Sequence, residues 1–232
     1  MKNIYKPQNN FRLGFTMIEL VMVIVVIGIL AAIALPRLDR DIRQDAINNI
    51  LSNIRYTQHL AIMDNKHLFN EPKWQQRYWK IMFGTCTGSN KFYMIGSDDD
   101  MSSSGAAGGS GYFDRNESAT DPANGKPMFW TNGTDCSDGG DGTVSPDIFI
   151  TRKYAINSFS FEGGCSNAQY LGFDYLGRPR VGFAASTIPD YSSYMTSDCN
   201  ITFSFIDNSY DPFTVTIQRE TGHTFIHGQI DQ

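Results

Sequence analysis

The chain has 232 residues, 41% of them hydrophobic, with 19 basic against 24 acidic side chains and a net charge of −5. That length suits one globular domain with appendages, and the acidic balance argues against a broad nucleic-acid-binding surface, which needs concentrated Lys and Arg to displace counterions. The four cysteines show no CxxC or Cys/His spacing, which argues against zinc and redox motifs.

Residues 1–14 carry Lys2, Lys6 and Arg12, contain no acid, and end at Gly14. Without these three basic residues, 16 remain against 24 acidic ones, a net charge of −8. Phe15-Thr16-Met17-Ile18-Glu19-Leu20 follows, and then a nearly pure apolar run to Leu35. The 21 residues from Phe15 to Leu35 make about 30 Å of helix, enough for one bilayer crossing. The basic leader should stay on the cytoplasmic side, which places the C-terminal body outside. A secretory signal cut at Ala32-Ile33-Ala34 and a plain membrane anchor are the bland alternatives. Neither accounts for Glu19, because a carboxylate inside an apolar span costs about 2.5–3.5 kcal/mol.

Gly14 followed by Phe15-Thr16-Met17-Ile18-Glu19 resembles the signature of type IV prepilins, which commonly reads G-F-T-L-I-E. The resemblance covers about 25 residues, with Pro36 just beyond the span, and Met17 is a conservative departure. It implies that a prepilin peptidase cuts after Gly14 at the cytoplasmic face and N-methylates Phe15. It also implies that Glu19, fifth in the mature chain, pairs with the terminal amine of a neighbouring subunit. Two opposite charges buried in a filament are tolerable only together, so such a pair would set subunit register. The chain is then the substrate of this chemistry, not an enzyme.

Pro36 should kink or loosen the helix. Beyond it, Leu38, Ile42, Ile47, Ile50, Leu51, Ile54, Ala61 and Ile62 recur at helical spacing among polar residues, which predicts an amphipathic helix to about Asn65. Strands are predicted at Arg77 to Phe83 and Lys91 to Ile95, as a hairpin around Thr87-Gly88-Ser89-Asn90. Further strands are predicted at 148–150, 158–162, 169–175, 201–206, 213–218 and 223–226. Gly96 to Pro146 is a long Gly-, Ser-, Asp- and Asn-rich stretch, and loops of that length are commonly functional or disordered; a solvated, flexible loop is the expectation.

An even number of cysteines in an exported body favours disulfides. Cys86, Cys136, Cys165 and Cys199 allow three connectivities, of which sequential pairing is the one expected. Gly172-Phe173-Asp174-Tyr175-Leu176-Gly177-Arg178-Pro179 resembles the F-D-x-x-G-R segment of GspH/FimT-type pseudopilins. Phe213 to Gln218 with Thr221-Gly222 resembles the final strand and turn of the same group. The bland reading of the first segment is a hairpin in which Gly177 takes a positive φ and Arg178 and Arg180 are solvated.

Two ligands deserve weighing. Asp98, Asp99 and Asp100 form one acidic cluster, and Asp135, Asp138, Asp141 and Asp147 another, so calcium, which takes oxygen ligands from such loops, is a candidate at Asp135, Asp138 and Asp141. The spacing is not that of an EF-hand, and no other cofactor is expected. DNA is the second, because FimT-type relatives that serve DNA uptake carry a Gly-Arg-x-Arg element near the C-terminus. The matching turn here reads Gly222-His223-Thr224-Phe225, without arginine, and Gly177-Arg178-Pro179-Arg180 has the pattern in an earlier hairpin. No HExxH, G-x-S-x-G or phosphate loop occurs, so catalysis is not expected.

The expected organisation is an α+β, type IV pilin-like fold: a leader at 1–14, a transmembrane assembly helix at 15–36, its amphipathic half at 37–65, and a periplasmic β-rich domain at 66–232. The long helix packs on an antiparallel sheet with a long Gly/Asp-rich loop. The resemblance implies a minor pilin or pseudopilin of the inner membrane, assembled with other pilins through a membrane platform into a type II secretion pseudopilus or a type IV pilus. The alternative is a FimT-like subunit that contacts DNA through Arg178 and Arg180 during natural transformation.

Overall fold

The computed structural model describes residues 16–102, 113–166 and 168–228, without the side chains of 33–41. The leader and the Gly14–Phe15 bond lie outside the described residues. Helix α1 spans Met17–Met63, two residues short of the expected end. The chain divides into two units, Met1–Asp41 and Ile42–Gln232.

In the first unit, every large apolar side chain from Met17 to Leu30 is at least 52% exposed. A continuous apolar surface of this kind needs a cover other than water. Among the described residues no helix is long and apolar enough to cross a membrane; side chains of the apolar run are described as far as Ala32.

In the second unit, α1 buries Ala46, Ile47, Ile50, Ile54, Thr57 and Ala61, a stripe repeating every three or four residues. Ile42 and Ile62, expected on that stripe, are 37% and 51% exposed: Ile62 lies beside the row, and Ile42, four residues before Ala46, stands at its outer end. Strands β1 (Trp79–Thr85) and β2 (Lys91–Gly96) form the predicted hairpin. Strands β3 (Ile156–Gly163), β4 (Tyr170–Phe173), β6 (Cys199–Phe205), β7 (Phe213–Ile217) and β8 (Thr224–Ile226) fall close to their predicted places. The two-residue β5, Pro179–Arg180, is the return strand of the hairpin expected around Gly177.

The strands make two antiparallel four-stranded sheets, ordered β2-β1-β4-β5 and β3-β6-β7-β8, where one sheet was expected. The reason lies at the outer edge of β2. Ala119 N donates to Ile95 O (2.8 Å) and Ile95 N to Met128 O (3.0 Å), so loop backbone, and no strand of the second sheet, takes these hydrogen bonds. Both sheets and the buried stripe of α1 feed one apolar core.

Two further expectations are corrected. The segment 148–150 is not a strand: a 3₁₀ turn, Pro146–Ile148, leads into helix α2, Ile150–Tyr154. Ser145 accepts from Asp147 N, with Pro146 at the first helical position, a helix-start signal that outweighs the β-branched residues. The long stretch after β2 is also not simply solvated. Phe113, Met128, Phe129, Cys136 and Val144 are all at most 7% exposed, so its described part inserts side chains into the core.

Candidate functional site

Three places carry chemistry, and the first is the start of α1. Thr16 donates to Glu19 Oε2 from both its backbone N (2.8 Å) and its Oγ1 (2.9 Å), and Glu19 N donates back to Thr16 Oγ1 (3.3 Å). This is a reciprocal capping box, which satisfies helix-start donors and sets a negative charge at the positive end of the helix. The T-x-x-E spacing that announces it was present in the sequence and was not read there. Its effect is to fix the Glu19 carboxylate within one residue of Phe15, on a segment whose apolar neighbours are exposed.

Residues 9–35 match the family model of the prokaryotic N-terminal methylation motif. The motif therefore spans the end of the basic leader, Gly14, Phe15, the Thr16–Glu19 box and the apolar run. No curated protein and no solved structure matches the chain.

The second place is the β4–β5 turn. Asp174 is fully buried; its Oδ1 accepts from Leu176 N and Arg178 N (both 3.0 Å), and its Oδ2 from Arg178 Nε (2.9 Å) and Arg180 Nη2 (3.2 Å). Arg180 also donates to Ser193 Oγ (3.0 Å) and lies over the Tyr194 ring, 3.1 Å from its centroid. Gly177, at φ +77°, closes the turn, a conformation that favours glycine. Arg180 is 2% exposed, so it has no surface to offer a phosphate, and Arg178 is paired to the same carboxylate. Neither arginine is solvated in the way the bland reading supposed, because the buried Asp174 charge needs both.

The same turn meets the second resembling segment. Gln58 Nε2 donates to Gly177 O (2.8 Å) and Thr221 O (2.9 Å), so one side chain of α1 joins the β4–β5 turn to the β7–β8 turn. Arg55 adds a bond from Nη2 to Thr224 O (2.6 Å).

The third place is acidic. Asp135, Asp138 and Asp141 do not converge: Asp135 accepts from Ser137 N and Asp141 from Thr143 N, each 2.9 Å, which closes local turns. Among the described residues the carboxylates that come together are Asp98, Asp100 and Glu117, with ligand atoms all within 4.8 Å of one another. Glu117 Oε1 accepts from Asp99 N (2.8 Å) and Asp100 N (3.0 Å), and its Oε2 from Asp114 N (2.8 Å). Asp98 is fully buried and no N–H or hydroxyl donor reaches either of its carboxylate oxygens. Burial pushes the Asp98 carboxyl up to about 7 against the pull of Lys80, and burial pushes the Lys80 ammonium down to about 8. Lys80 Nζ, itself buried, donates to Gln76 O (2.7 Å).

The cysteines pair sequentially, Cys86 with Cys136 and Cys165 with Cys199. The first bond ties the β1–β2 hairpin to the long loop, and the second ties the chain after β3 to the start of β6.

Proposed function

We propose that the chain is a prepilin-type structural subunit: cleaved after Gly14, methylated on Phe15, held in the inner membrane by the start of α1, and assembled with other pilins or pseudopilins. The match of residues 9–35 to the methylation motif carries this reading. The exposed apolar run gives it a physical basis, since such a surface is stable against lipid or against like helices in a filament and not against water. Glu19 then has a task in assembly. Its charge, held by Thr16 at the helix start, needs a cation once water is removed, and the amine freed at Phe15 of a neighbouring subunit supplies one.

On this reading the body from residue 66 onward is periplasmic, and the two disulfides suit an oxidising compartment. The paired segments Gly172 to Pro179 and Phe213 to Gly222, joined through Gln58, favour a GspH/FimT-type minor subunit of a secretion pseudopilus or pilus. The role is structural, with prepilin peptidase acting on the chain. DNA is not favoured, because Arg178 and Arg180 are committed to Asp174.

Co-expression with a prepilin peptidase tests the reading. Mass spectrometry should find a mature chain beginning at Phe15 and heavier by one methyl group. A leader that stays attached overturns the proposal. Glu19→Ala should be cleaved normally yet fail to enter filaments, which separates processing from assembly.

A further inference from the structure

We propose that Asp98, Asp100 and Glu117 form a calcium site where the chain leaves β2. The acidic cluster alone does not carry this; the state of Asp98 does. Its side chain is fully buried, no N–H or hydroxyl donor reaches either oxygen, and it lies against the Asp100 carboxyl in the group whose ligand atoms lie within 4.8 Å of one another. A buried carboxylate without a donor or a cation is strongly disfavoured. Two other carboxylates beside it add repulsion.

The nearby cations bond to other acceptors, although the charge of Lys80 still favours the Asp98 carboxylate. Lys80 Nζ is bonded to Gln76 O and makes no ion pair with Asp98. Lys66 and Arg77 both engage Asp99, which is not one of the group. Glu117, by contrast, is fixed from three sides by the N–H groups of Asp99, Asp100 and Asp114. Those bonds hold the chain after Asp98 in a curl that keeps Asp98 and Asp100 together, and Glu117 Oε2, which accepts a single bond, keeps a lone pair for a metal.

Oxygen donors without nitrogen or sulfur select a hard cation. Calcium, bonded at about 2.3–2.6 Å, has a coordination sphere broad enough for oxygens this far apart and tolerates irregular surroundings; magnesium demands a near-ideal octahedron. Asp100 is exposed, so an ion can enter from solvent and complete its shell with water. With three carboxylates, the affinity belongs in the range of extracellular calcium modules, about 10⁻⁴–10⁻³ M. The site does not depend on the proposed filament role.

Calorimetric titration of the full chain in detergent, stripped with EDTA and then given calcium chloride, tests the proposal. One saturable site is expected, with affinity reduced at least tenfold in Asp98→Asn and in Asp100→Asn and unchanged in Asp135→Asn. If Asp98→Asn does not fold, the exposed Asp100→Asn decides the matter. Absence of saturable binding, or equal binding by the Asp100→Asn variant, overturns the site and leaves a proton shared between Asp98 and Asp100 as the neutralising device. Magnesium binding as tightly as calcium overturns the assignment to calcium.

Discussion

Asp174 accepts from Arg178 and Arg180, and only the first of these guanidiniums keeps appreciable exposure, 34% of its side chain against 2%. Removing one partner of a buried ion pair leaves a charge without compensation, at a cost of about 3–5 kcal/mol, whereas a partly exposed pair contributes about 1 kcal/mol or less. Arg180→Met should therefore destabilise the body by about 3 kcal/mol or more and Arg178→Ala by about 1 kcal/mol, as read from urea unfolding of the full chain in detergent. Equal losses would show that burial is not what makes Arg180 matter. Lys80 gives a second expectation at this scale. Folding lowers its affinity for a proton, so between about pH 8 and its ordinary value of 10.5 the unfolded chain holds a proton that the folded chain releases. Stability contributed by this group therefore rises with pH through that window. Lys80→Met should lack the rise, so its unfolding free energy should gain less than the wild type's between about pH 7.5 and about pH 10, by about 1 kcal/mol or more. Parallel curves for the two proteins would remove Lys80 from the account.

The second half of α1 is held to the sheets by a buried stripe and by one polar junction. Gln58 bridges Gly177 O and Thr221 O, and Gly222 sits so close that an added Cβ would meet Gly177 O at 2.3 Å, with the backbone at φ +69°. Gly222→Ala must move backbone and adopt a left-handed conformation, itself a cost of about 1–2 kcal/mol; it should destabilise more than Gln58→Ala, which strands two carbonyls at about 1–3 kcal/mol. Thermal unfolding of the two variants orders them, and a Gly222→Ala protein as stable as wild type would show that the turns are free to part. At this scale much was legible. Periodicity placed the helix and most strands, since apolar spacing is a local property. It could not show that Ala119 and Met128 occupy the edge of β2, which divides the sheet in two, nor that Gln58 joins two turns more than 100 residues away. The methylation motif was fully legible because its chemistry lies in consecutive residues. The Asp98 group was only half legible: Glu117 reaches it through backbone bonds that spacing does not announce.

Across the whole β-rich body the two disulfides hold different things. Cys165–Cys199 closes 34 residues between neighbouring strands; β3 and β6 already pair as far as Gly163 opposite Cys199, so the bond reinforces a contact the sheet makes anyway. Cysteine spacing could not choose among three connectivities, and it is this strand register that brings Cys165 beside Cys199. Cys86–Cys136 closes 50 residues and fastens a segment with little regular structure, whose Phe113, Met128 and Phe129 nevertheless help to fill the core. Chain entropy alone gives each bond about 4 kcal/mol as an upper figure, with about 2–4 typical, and loop length separates them by only a few tenths. The difference should come from what each loss releases. Without Cys86–Cys136, the loop backbone that seals β2 and the segment carrying Glu117 are held by hydrogen bonds and by the packing of Phe113, Met128 and Phe129, with no covalent tie. We therefore expect Cys86→Ser with Cys136→Ser to lose more stability than Cys165→Ser with Cys199→Ser, by about 1 kcal/mol or more, and to show faster amide exchange at Ile95 and Ala119. Hydrogen exchange at those two amides is the deciding measurement, because a bond that acted only on the unfolded chain would lower stability without exposing the edge of β2.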